Sequence, residues 1–152
     1  MARQRKKPDG KPKRKYTKSP LNRRKDEVWQ KFSRYIRIRD CLLATGKPNH
    51  GKCVTCGREY PITRLQAGHF IPGRHDAVLF DFDGVHTQCY RCNIELGGNW
   101  PCYYRWMQQN YPDLDIEAYI DKAFDKTKFI TLEYLDELEQ TLDAALQEMG
   151  AG

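Results

Sequence analysis

Apolar positions fall at helical periods toward both ends of the chain and into short alternating runs in the middle. Val28, Phe32, Tyr35, Ile36, Leu42 and Leu43 form one stripe, which predicts a helix capped by Asp26, running to about Thr45 and stopped by Gly46 and Pro48. From Lys52 the period shortens. Residues 64–71 predict a strand ended by Pro72-Gly73, a loop follows through Arg74, His75 and Asp76, and a second strand covers Gly84 to Gln88. A short helix opens at about Arg91 and breaks at Gly97-Gly98. Two more are predicted over Pro101–Asn110, with Pro101 suited to a first turn, and Asp115–Phe124. Thr131 caps a last helix ending at Gly150, on which Leu135, Leu138, Leu142, Ala145 and Met149 make a seam about two heptads long. That seam either packs within the molecule or joins a homodimer. The class is α+β.

Cysteine spacing turns this order into a specific architecture. Cys53-Val54-Thr55-Cys56 and Cys89-Tyr90-Arg91-Cys92 are paired Cys-x-x-Cys units, one before the first long strand and one after the second. Four thiolates so placed can close a tetrahedral zinc site, with Gly57 easing the turn after the second ligand. The order zinc knuckle, strand, loop, strand, zinc knuckle, helix reads as a zinc-stapled ββα finger with flanking helices. A closed Cys₄ site has no open coordination position, so this ion holds structure and does no chemistry. The remaining Cys41 and Cys102 fall in helix-like segments and read as small buried side chains.

Charge divides the chain into three. Residues 1–25 carry a net charge of +11, residues 26–106 of +3 and residues 107–152 of −8, within an overall +6. The basic segment has three prolines and little to bury, and is expected to be a disordered arm attracted to phosphates through residues such as Lys13, Arg14 and Lys15. Residues 26–111 then form the zinc-bound domain, and 112–152 an acidic helical extension. The arm lacks the apolar stretch of a secretory signal and no run is long enough to span a membrane, so a cytoplasmic protein is expected. That compartment also favours metal over disulfide for the cysteines.

Between the knuckles, His69 lies on the first strand beside the small Ala67-Gly68 pair, and Asn93 follows the last cysteine. A neutral imidazole can take a proton from water if an acceptor orients its other nitrogen. A carboxamide oxygen suits a hard cation such as Mg²⁺, although Asn is equally a helix cap. His86 could bind metal or phosphate on the same face, or simply pack. Asp81, Asp83 and His75 are weaker loop candidates. Arg34, Arg37 and Arg39 flank the first stripe, and with Arg74 and Arg91 could grip a phosphate backbone or stay solvated.

The run Cys53-x-x-Cys56-Gly57, Ala67-Gly68-His69-Phe70, His86-x-Gln88-Cys89-x-x-Cys92-Asn93 and Gly98-Asn99 resembles the NinG/Rap recombination proteins of lambdoid bacteriophages, within the HNH or His-Me finger nucleases. The resemblance covers roughly residues 26–111. It implies a divalent-metal-dependent endonuclease that cuts branched DNA, such as Holliday junctions and D-loops, during phage recombination, in the host cytoplasm if phage-encoded. It gives His69 the role of general base and Asn93 that of ligand to a catalytic Mg²⁺ or Mn²⁺, with His86 in support. Two positions depart from the pattern: Gly68 stands where many such enzymes have Asp, and Gly84 where they have the middle Asn. A non-catalytic zinc-containing DNA-binding accessory protein is the alternative.

Overall fold

The computed structural model describes residues 17–151. Lys13, Arg14 and Lys15 lie outside them. The first helix, α1, spans Pro20–Thr45 and so starts seven residues earlier than a helix capped by Asp26 would. Ser19 caps it by accepting from the Asn22 amide, and Pro20 sits where a missing N–H costs nothing. The Arg23-Arg24-Lys25 run, read from sequence as part of the arm, therefore belongs to a helix. Gly46 ends α1 in the left-handed conformation at φ 71° and donates to the Leu42 carbonyl. Of the expected stripe, Leu43 is 80 % exposed, while Ile38 and Cys41 are buried instead.

Two antiparallel hairpins follow. The first pairs β1 (His50–Lys52) with β2 (Glu59–Pro61) and carries Cys53 and Cys56 in its turn, where Gly57 has φ 73°. Neither strand shows in the sequence, since each is three residues long and polar. The second pairs β3 (Leu65–His69) with β4 (Val85–Cys89), in the register Ala67 opposite Thr87 and His69 opposite Val85. A single π turn over Arg91–Glu95 then leads into α2 (Trp100–Asn110), α3 (Ile116–Ala123) and α4 (Leu132–Glu148).

Alternation gives the β3–β4 hairpin two faces with different neighbours. Ala67 and Val85 join Val28, Phe32 and Ile36 of α1 and Leu135, Leu138 and Leu142 of α4 in one core. On the other side Phe70 packs with Tyr103 and Met107 of α2 and with Ile116 and Tyr119 of α3, and the Tyr103 hydroxyl donates to the Gly68 carbonyl at 2.8 Å. The leucine seam of α4 is thus spent within the chain, against α1. Leu146 completes it in place of the expected Ala145 and Met149, both half-buried. The acidic 112–152 segment supplies these leucines to the same core as α1 and the hairpin.

Charge complementarity aligns α1 with α4. Arg24 reaches Asp136 and Glu139, and Lys31 reaches Glu139 and Asp143. Hydrogen bonds from Arg24 and Lys31 hold the Glu139 carboxyl down at about 2. A carboxyl depressed on folding contributes stability above its unfolded pKa near 4.3, and loses it as pH falls toward the folded value. Glu139→Gln should therefore lower stability at pH 6 by about 1 kcal/mol or less, and flatten the loss between pH 4.5 and about 2 in urea titrations. An unchanged acid limb would show that the network adds nothing.

Candidate metal and nuclease site

The four knuckle sulfurs come together as the spacing implies. One Sγ each from Cys53, Cys56, Cys89 and Cys92 lies within 4.8 Å of the others, and all but Cys56 are buried. The donor set suits a metal such as zinc, which would take the four as thiolates. Neighbouring polar groups already point at the sulfurs. Thr55 Oγ1 is 3.2 Å from Cys53 Sγ, and Asn99 Nδ2 donates to Cys92 Sγ at 3.4 Å. Such outer contacts fix ligand orientation around a metal. The cluster ties the β1–β2 turn to the end of β4 and to the π turn, so one ion would connect three segments that share little apolar contact. Cys41 is buried beside this cluster, and burial raises its thiol pKa to about 11, as befits a packing residue.

His69 is held from two sides. Its ring stacks on Trp29 of α1 with centroids 4.9 Å apart and planes 14° apart, and Nε2 lies 3.0 Å from the Leu79 carbonyl oxygen. A carbonyl can only accept, so Nε2 carries the proton and Nδ1 keeps its lone pair. Burial lowers the His69 pKa, the Leu79 contact opposes it, and the nearby charge of Arg74 and His75 lowers it further; the net shift is down. The ring is thus neutral at pH 7. Sequence alone shows neither Trp29 nor Leu79 as a partner, because Trp29 comes from α1 and Leu79 from the irregular loop between β3 and β4.

Asn93 sits on the other face of β3. Its Nδ2 donates to Gln66 Oε1 at 2.9 Å, and Oδ1 lies 3.0 Å from the point a Gly68 Cβ would occupy. The imidazole faces α1 while the carboxamide faces Gln66 and Gly68, so the two flank β3 and do not confront each other across a gap. They are offset by one strand position, at the end of a strand with no third partner among the described residues.

His86 is placed differently from a ligand. It is 3 % exposed, with Nδ1 3.3 Å from Asp40 Oδ2 and 3.0 Å from Arg39 Nη2, and Nε2 3.0 Å from the Asp83 carbonyl oxygen and 3.1 Å from the Tyr111 hydroxyl. Both nitrogens are engaged, so this ring packs and positions. Burial would raise the Asp40 carboxyl, but the His86 and Arg39 contacts outweigh it and hold the group below the usual carboxylate range. Arg39 also donates to the Phe82 and Val85 carbonyls, which makes it part of the scaffold. The loop candidates are also partnered, Asp81 by Lys122 and His75 by the Phe124 ring.

The remaining basic candidates divide. Arg34 and Arg91 are exposed, whereas Arg37 is half-buried with Nε donating to the Ser33 carbonyl at 3.2 Å. Arg74 lies 5.4 Å above the Trp29 ring and donates to Asp26, which places a guanidinium one ring away from His69. No helix among the described residues is long and apolar enough to cross a membrane.

Residues 1–150 match the family model described as Bacteriophage Lambda NinG protein. Neither the curated proteins nor the solved structures contain a significant match.

Proposed function

The chain belongs to the NinG family of bacteriophage lambda, and on that footing we propose that it is an HNH-type, divalent-metal-dependent DNA endonuclease acting on branched DNA in phage recombination. The observation that carries this reading is the His69 ring, stacked on Trp29 and fixed through Nε2 on a carbonyl, with Nδ1 left to accept a proton. A half-buried, neutral, oriented imidazole beside a zinc-stapled hairpin is what general-base chemistry on a phosphodiester asks for. In this reading β3, β4 and the π turn are the ββα finger of a His-Me nuclease, with residues 26–111 as the nuclease domain.

His69 takes a proton from water as the water oxygen bonds to phosphorus. The P–O3′ bond breaks and the departing oxygen takes a proton from solvent, leaving 5′-phosphate and 3′-hydroxyl. Asn93 would hold a Mg²⁺ or Mn²⁺ ion, which when bound would supply stabilisation of charge on the phosphate and the departing oxygen. Because ring and amide flank β3, the phosphate lies over the outer edge of that strand. Arg74, Arg91 and Arg34, with the N-terminal basic residues, grip neighbouring phosphates without reading bases.

The absence of any side chain at Gly68 favours a second reading, a non-catalytic zinc DNA-binding accessory factor. Incubation with labelled linear, flapped and four-way DNA in Mg²⁺, Mn²⁺ or EDTA separates the two. Scission of the branched substrates only with a divalent ion is expected; binding without scission in every ion sustains the accessory role. The depressed His69 pKa adds a signature. Since the base works when neutral, the acid limb of the rate profile should fall below pH 6.5, the ordinary histidine value.

A further inference from the structure

Gln88 is fully buried at 0 % exposure, and its Oε1 has no hydrogen-bond partner. The orientation of the amide is settled by its nitrogen, which donates to the Gly98 carbonyl at 2.8 Å and to Thr55 Oγ1 at 3.2 Å. Turning the amide over would set its oxygen against the Gly98 carbonyl, two acceptors with no proton between them. The Thr55 hydroxyl proton is free to face Cys53 Sγ, so the chain from sulfur to hydroxyl to amide runs in one direction.

Oε1 therefore points at Gly68, 2.1 Å from where a Cβ would stand, and Asn93 Oδ1 lies 3.0 Å from the same point. The Asn93 nitrogen is likewise committed elsewhere, to Gln66. Two carboxamide oxygens thus converge on one spot with their donors facing away. Two such dipoles repel unless something positive lies between them, and uncharged oxygens are ligands for hard divalent cations. Gly68 is not in the left-handed region that would demand glycine. It is glycine because Gln88 occupies the space.

We infer that Gln88 Oε1 is a second protein ligand, beside Asn93 Oδ1, for the divalent cation. This rests on the proposal that Asn93 holds that ion, and adds a residue buried behind it. It also links the two metal sites, since Thr55 touches both Cys53 and Gln88.

The test is Mn²⁺ binding to the zinc-loaded full-length protein, followed by electron paramagnetic resonance, with zinc content and thermal melting as controls on folding. Gln88→Met keeps about the same size and removes the oxygen, and should weaken Mn²⁺ binding about tenfold or more. Gln88→Ala opens the space in front of Gly68, so Gly68→Asp combined with Gln88→Ala should recover the Mn²⁺ affinity that Gln88→Ala alone loses. Should Gln88→Met fail to retain zinc, the double variant decides. If Asn93→Ala abolishes the Mn²⁺ signal while every Gln88 variant leaves it unchanged, Gln88 is no ligand and the Asn93 site stands. If the unaltered protein binds no Mn²⁺ beyond its zinc, both assignments fall.

Discussion

His69→Ala should lower divalent-dependent scission of branched DNA by about 10²-fold or more, with DNA affinity unchanged. Size follows from position. The ring combines an uncommitted nitrogen lone pair with a fixed orientation, and the Leu79 carbonyl and Trp29 hold it without help from substrate. Affinity should persist because Arg74, Arg91 and Arg34 carry their charge on other segments. Alanine leaves space beside Trp29, so a melting curve must accompany the rates. His69→Gln is the sharper control, since its longer amide reaches the Nε2 position and can still donate to the Leu79 carbonyl but cannot act as base at neutral pH. Nicking of a four-way junction at the unaltered rate by either variant would remove His69 from the mechanism.

Loss of metal from the cysteine cluster should have the largest effect on stability. Structural zinc in small peptides contributes about 10–16 kcal/mol at neutral pH, whereas a whole domain of this size is stable by only about 5–15 kcal/mol. The cluster Cys41, Cys53, Leu65, Cys89 and Cys92 is a small core, four of its five members cysteines, with the half-buried Tyr60 and Ile62 packed against it, so little apolar contact would replace the ion. Chelation, or Cys92→Ser, should release one equivalent of zinc and abolish the cooperative melting of the hairpins. The α1–α4 pair has its own apolar seam and ion pairs, and should keep helical circular dichroism. A chelated protein that melts as before would show that the sulfurs hold no structural ion.

Each prediction depends on a different amount of information from the sequence. The zinc site needs only the two Cys-x-x-Cys units, because spacing this short forces each pair of sulfurs together whatever surrounds them. The long helices and the strands β3 and β4 follow from period and caps, apart from the start of α1. There a dense run of positive charge looks like a tail until α4 supplies Asp136 and Glu139 to Arg24, and the loop after β3 supplies Asp76 to Lys25. The β1–β2 hairpin is too short and polar to carry a pattern at all.

The amino-acid order by itself determined the cysteine knot, the order of helices and strands, the charge polarity and the identities of His69 and Asn93 as candidates. The tertiary structure decided which way each of them faces. Strand alternation says that neighbours such as Gly68 and His69 point apart, but only packing assigns α1 to one side and α2 to the other. That assignment put Trp29 and Leu79 around the imidazole, drew His86 into a buried network with Asp40, and left the Gln88 oxygen facing Asn93. Contacts between residues dozens of positions apart arise from how apolar faces close on one another, and no local pattern encodes them.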